Sequence, residues 1–138
     1  MGNEVLKLYN VGQAHTFSDL IIYLENRKIL LSGDLISKKV NPVLNKETGA
    51  DVDKLISVLQ YIAQKFEIEK IITGHGEICD KNDISELIVY YKDIKTAAEN
   101  PEKKKEVIQK YKDWVKMPGM ATTKINIEYV EENNSNNL

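Results

Sequence analysis

The chain has 138 residues, 42% of them hydrophobic and 29% charged, which is enough apolar material for one soluble globular unit with a core. Its 19 basic and 21 acidic residues leave a net charge of −2, which gives no electrostatic case for binding nucleic acid or an anionic membrane surface. No apolar run approaches the ~20 residues of a membrane-spanning helix, and the opening MGNEVLKLYN lacks a basic region followed by an apolar core, so neither a membrane span nor a secretory signal is expected.

Met1-Gly2 has the start of a myristoylation signal, but Leu6 stands where Ser or Thr is needed, so no lipid is expected. The single cysteine, Cys79, cannot form an intramolecular disulfide and fits a reducing cytoplasm, where the chain is expected to reside.

Taken in chain order, Val5 to Tyr9 alternates in part and predicts a strand. Leu20 to Leu24 and Lys28 to Ser32 predict two more, joined as a hairpin by the polar Glu25-Asn26-Arg27. The near-continuous apolar character of these runs suggests burial on both faces. From Asp34 to Gly49 the pattern breaks, and Asn41, Pro42, Asn45 and Gly49 mark a loop.

Leu55, Ile56, Val58, Leu59, Ile62, Ala63 and Phe66 recur at helical spacing, with Asp51 and Asp53 at the end where carboxylates suit the helix dipole. Ile68 to Thr73 predicts a strand ending in Gly74-His75-Gly76. A second helix is expected from about Asp83, whose spacing to Glu86 resembles a capping box, and a third after Asn100-Pro101, a pair suited to N-cap and first position. The third carries Val107, Ile108, Tyr111, Trp114 and Val115 on one side and stops at Pro118-Gly119. The tail EENNSNNL has no periodicity and reads as disordered from about 131. Strand, hairpin, helix, strand, helix, helix is an α/β order.

Two histidines exist, and each sits just past a predicted strand among small residues: His15 in Gly12-Gln13-Ala14-His15-Thr16, and His75 between two glycines. Asp34 follows the hairpin's second strand, an unusual place for a charge without a partner or metal. Strand ends are where open α/β sheets carry ligand sites, and imidazole plus carboxylate suits Zn²⁺, with iron and manganese also compatible. Each residue also has a plainer reading: a hydrogen-bonded histidine, a turn or cap aspartate, a tight Gly-His-Gly turn.

In order, these pieces resemble the metallo-β-lactamase superfamily. Gly12-Gln13-Ala14-His15-Thr16-Phe17-Ser18-Asp19-Leu20 is similar to its G-x-x-H-T-x-x-D/S-L segment, Leu31-Ser32-Gly33-Asp34-Leu35 to its L-x-G-D-x motif, and Thr73-Gly74-His75-Gly76 to its closing G-H-G. Nineteen residues separate His15 from Asp34 and forty-one separate Asp34 from His75, leaving room for the hairpin and for one loop plus helix. The resemblance runs from about Val5 to about Tyr91. It implies the C-terminal half of an αββα sandwich, with His15 ligating one metal, His75 the other and Asp34 bridging the two, around a water that attacks a scissile bond.

The family's first motif, H-x-H-x-D-H, has no copy in these 138 residues. His15, Asp34 and His75 alone leave each metal with about two protein ligands, against the three usual for catalytic zinc. The expectation is therefore a zinc-hydrolase fragment with an incomplete site, weak metal binding and no turnover on its own. The alternative is a non-enzymatic dimeric or interaction module descended from that fold. Residues 1–117 are expected to form the half-domain and 118–138 an extension. A sheet deprived of its opposing layer exposes an apolar surface, so the expected partner is a second copy or a separate N-terminal half. Lys38 and Lys39 read as a solvated loop rather than a contact to an anionic substrate, Cys79 as a small buried residue, and Trp114, Tyr111 and Met117 as packing residues at helical spacing rather than the lining of a pocket.

Overall fold

The computed structural model describes residues 3–117 and 119–135. The apolar runs settle into four strands, β1 (Leu6–Gly12), β2 (Asp19–Leu24), β3 (Ile29–Gly33) and β4 (Lys70–Thr73), and four helices, α1 (Val52–Lys65), α2 (Lys81–Glu99), α3 (Lys104–Lys110) and α4 (Thr123–Ser135). The strands form one mixed sheet in the order β1-β2-β3-β4. The first two pairings are antiparallel, and β3 pairs with β4 in parallel across the connection that contains α1. This is the α/β arrangement that the element order implies. No helix among the described residues is long and apolar enough to cross a membrane.

Local chemistry explains most of the boundaries. Asp51 caps α1, its carboxylate accepting from the Lys54 N–H at 3.0 Å. The capping box of α2 lies three residues earlier than expected. Asp80 accepts from Asn82 and Asp83, and Asp83 accepts from the Asp80 N–H at 2.8 Å, so Asp83 is the responding residue of the box. Asn100 is not the side-chain cap expected of the third helix, because its Nδ2 donates back to the Thr96 carbonyl at the end of α2. Pro101–Lys103 then forms a 3₁₀ turn, and α3 runs only to Lys110. Tyr111 and Trp114 lie beyond it and are buried against Tyr90, whose ring stacks on the indole at 4.7 Å. In the tail, residues 131–135, read as disordered, are the last turn of α4. That helix is anchored by Ile127 and Val130, buried with the polar Thr123 and Asn126 where α4 packs on α2, while Lys124, Glu128 and Glu132 face outward. The Pro118 reading, residues 136–138 and Met1-Gly2 lie outside the described residues.

The pleat divides the sheet residues into two sets. Ile21, Tyr23, Leu30 and Ile71 point into a core with Leu55, Leu59, Ile62 and Phe66 of α1 and its end, and with Ile84 and Leu87 of α2. The alternate residues form a contiguous apolar face across all four strands: Leu6 opposite Leu24, Leu8 opposite Ile22, Ile22 opposite Leu31, and Leu31 opposite Ile72. Burial on both faces is therefore not what the fold provides, because the helices lie on one side only. Leu8 on the open side is 65% exposed.

This asymmetry predicts opposite sensitivities. Leu59→Ala, in a fully buried position, should cost about 2–5 kcal/mol of folding stability in urea denaturation. Leu8→Ala on the open face should stay within about 0.5 kcal/mol.

Candidate metal centre

Each of the three candidate side chains sits just past a strand whose end is irregular. The β1–β2 register shifts between Asn10 and Gly12, and Gly12 has φ +78°, turning the chain into the loop that carries His15. Asp19 holds this loop, its two carboxylate oxygens accepting from the Thr16 N–H at 2.9 Å and the Thr16 hydroxyl at 2.8 Å. This gives a physical reason for an aspartate four residues after the histidine. The Asp51 N–H, donating to the Ala14 carbonyl at 2.9 Å, ties the loop to the start of α1.

The β3–β4 register shifts between Leu31 and Gly33, and Gly33 has φ +55°, so the chain bends just before Asp34. The neighbouring strand end is bound to it, the Gly74 N–H donating to the Gly33 carbonyl at 2.8 Å. A side chain at Gly74 would have its Cβ 2.2 Å from Asp34 Oδ1, so glycine there is what lets the carboxylate lie against the backbone. The turn carrying His75 is braced by the Thr73 hydroxyl, which donates to the His75 carbonyl at 2.9 Å and lies 3.3 Å from that of Glu77.

The result is that His15, Asp34 and His75 line one pocket of about 190 Å³. His75 Nε2 lies 3.6 Å from Asp34 Oδ1, with both side chains open to solvent. His15 is more enclosed, and its Nδ1 is buried without a hydrogen-bond partner among the described residues. A buried imidazole nitrogen left without a partner is costly and calls for one. A larger cavity of about 410 Å³ lies between the start of α1 and α4, but neither histidine lines it, so the smaller pocket is the chemically relevant one.

The residues present fit a metal ion in part. The orphaned His15 nitrogen and the space kept clear beside Asp34 favour one. Against this, among the described residues no three His, Cys, Asp or Glu side chains come close enough together to hold an ion unaided. Two imidazoles and a carboxylate are proper donors for zinc, but the set is open on one side.

Other residues singled out in the sequence fall away from the donors. Cys79 is buried and unpaired, its backbone bridging to Ile71, and desolvation pushes its thiol up to about 11. Lys38 and Lys39 do not line the pocket, whereas Met117, read as packing, does, together with Met120. Asn41, fully buried and also on the pocket wall, was legible only as a loop residue.

No family model matches the chain. The metallo-beta-lactamase type 2 of Bacillus cereus is 24% identical over 81 residues, which is 58% of this chain and 32% of that protein. Among solved structures, a metallo-beta-lactamase from Pontibacter korlensis superposes with a TM-score of 0.59 at 23% identity, over 67% of this chain and 44% of that one. The DIM-1 metallo-beta-lactamase does so with 0.56 at 22% identity, over 66% and 46%. The chain thus spans about a third of the curated relative and less than half of these structures.

Two measurements follow. Gly74→Ala should displace the Asp34 carboxylate and cost about 1–3 kcal/mol, seen as a lower urea midpoint and moved His75 ring resonances. Iodoacetamide should label Cys79 far more slowly in the folded chain, where the thiol is buried and held protonated, than in the unfolded chain, whose thiol ionises around pH ~8.5. The folded state holds this proton more tightly, so the associated stability is present below about pH 8.5 and falls away as pH climbs through the folded value.

Proposed function

We propose, on the premise that this chain has the fold of part of a metallo-β-lactamase-superfamily domain, that it supplies one flank of a metal centre whose remaining ligands come from a segment covering the open sheet face. The observation that carries this is the convergence of His15, Asp34 and His75 on one pocket from three separate strand ends, with the His15 Nδ1 unsatisfied. Asp34 and His75 would hold an ion from the strand-end side, and His15 from the loop after β1. A zinc ion bound there would supply an activated water at neutral pH and a charge to polarise a carbonyl or phosphoryl oxygen. Hydrolysis belongs to the completed centre. The chain alone, with too few donors, is expected to bind zinc weakly and turn nothing over.

The open face supports a covering segment over a second copy. Four strands ~4.8 Å apart and about six residues long make a face of roughly 400 Å² in projection, which a second copy would cover only by bringing the same three pocket residues again. A segment that lies on this face and also closes the open side of the pocket contributes more area and the missing donors together. Its matching surface would be another apolar sheet face, packed ~10 Å away. A reducing, cytoplasmic setting accords with the buried, unpaired Cys79. The alternative, a non-enzymatic module in which a second copy covers the face, is judged by the same experiment.

Sedimentation and metal analysis of the chain alone, and co-expressed with a segment carrying H-x-H-x-D-H, decide between them. The expected outcome is substoichiometric zinc alone and a stable one-to-one complex with full occupancy, in which His75→Ala or Asp34→Asn weakens zinc at least about tenfold. A tight homodimer that ignores the added segment, with no zinc difference between wild type and His75→Ala, would favour the module.

A further inference from the structure

The cavity of about 410 Å³ between the start of α1 and the end of α4 shares no lining residue with the pocket of the two histidines, and its character is different. Charges of both signs line it, Lys46 and Lys95 against Asp51 and Asp53. Asp51 is already engaged, as the N-cap of α1 and at 3.8 Å from the Lys54 ammonium. Lys95 is paired with Asp53, whose side chain is 75% exposed. Water screens such a pair, so Asp53 exchanges its partner at little cost. The Lys46 ammonium has no partner among the described residues.

The uncharged part of the lining is mixed as well. Asn133 and Asn134 bring side-chain amides from the end of α4, each with donors and an acceptor. Phe17 brings an aromatic ring, although the residue is 67% exposed. A Cβ at Gly49 would stand 2.5 Å from that ring, so glycine is what seats it on the cavity rim. The rim is fixed by its backbone: the Phe17 N–H donates to the Thr48 carbonyl at 2.8 Å, and the Gln13 side-chain amide to that of Gly49 at 2.9 Å. From the other side the Tyr129 hydroxyl of α4 donates to the Ala50 carbonyl at 2.6 Å. A ring held this way has little freedom left to lose when a flat partner covers it.

We propose that this cavity binds a dipolar ligand of dipeptide size with an aromatic side chain. Its carboxylate meets Lys46, its ammonium Asp53, its amide the Asn133 and Asn134 side chains, and its ring Phe17. The mixed lining selects this class. A simple anion would meet two carboxylates and a simple cation two ammonium groups. A wholly apolar body would strip water from the charged groups and return nothing. One molecule with opposite charges at its ends and an amide between them answers every polar group on the wall. A volume of about 410 Å³ lies within the roughly 300–1,000 Å³ of small-molecule sites. The inference stands apart from the metal-donor reading, since none of its residues is a proposed ligand.

The test titrates the full chain, without metal, with glycyl-phenylalanine and two blocked forms, the N-acetylated dipeptide and the C-terminal amide. NMR follows the side-chain amides of Asn133 and Asn134 and the Phe17 ring. The free dipeptide should bind with a Kd of about 1 mM or tighter, and each blocked form about fivefold more weakly. Lys46→Gln should weaken the free dipeptide about fivefold without weakening the C-terminal amide, and Asp53→Asn should weaken it without weakening the N-acetylated form. Phe17→Ala should weaken all three. These side chains are exposed, so the variants keep the fold. No shift at these signals, equal affinities for the three ligands, or losses that ignore which end is blocked would overturn the proposal. Glycyl-alanine binding as tightly as glycyl-phenylalanine would overturn it too, by removing the ring from recognition.

Discussion

The parallel pairing of β3 with β4 is the constraint on which the rest depends. Gly33 and Thr73 are register partners, and the Gly74 N–H bonds to the Gly33 carbonyl. Because the two strands point the same way, their C-terminal ends lie side by side, and two residues forty-one positions apart become neighbours. A parallel pair needs a long crossover, and here it is the loop after Asp34 followed by α1. The crossover both buries the core face of the sheet under α1 and leaves its first segment free to wall the pocket. Reversing β4 would send His75 to the opposite edge.

The same sheet leaves its other side bare. Strands with Leu, Ile and Tyr at nearly every position can bury both pleat faces, but within this chain the helices pack on one only. The open row from Leu6 to Ile72 is therefore the physical counterpart of a pocket open on one side.

The residues beyond the crossover have a structural task that their sequence conceals. Helix α4 begins with Thr123 and carries Asn126, and both reach Asn41 or its neighbours through buried hydrogen bonds. Tyr90, Tyr111 and Trp114 pack around that cluster. Polar groups so enclosed are satisfied almost entirely by one another, apart from the Asn126 Oδ1, which has no partner among the described residues. A mid-chain loop is thereby set by contacts up to 84 positions away.

The sequence by itself determined the number and chain order of the strands, the presence of α1, and the three residues, His15, Asp34 and His75, that come to line one pocket. Hydrophobic period, turn residues and three short motifs are local signals that each residue carries regardless of its surroundings. Where expectation and structure differ, the deciding contact is not local. The α2 cap moved because Asp83 answers Asp80, and the tail is helical because Ile127 and Val130 find α2. The strands bury one face because no second layer lies within the described residues. That Met117 lines the pocket, and that buried Asn41 anchors its wall, only the tertiary structure decided. Both depend on a backbone ladder between Lys39–Asn41 and Val115, segments whose pairing follows from the packing of α2, α3 and α4 and leaves no periodic trace in either stretch.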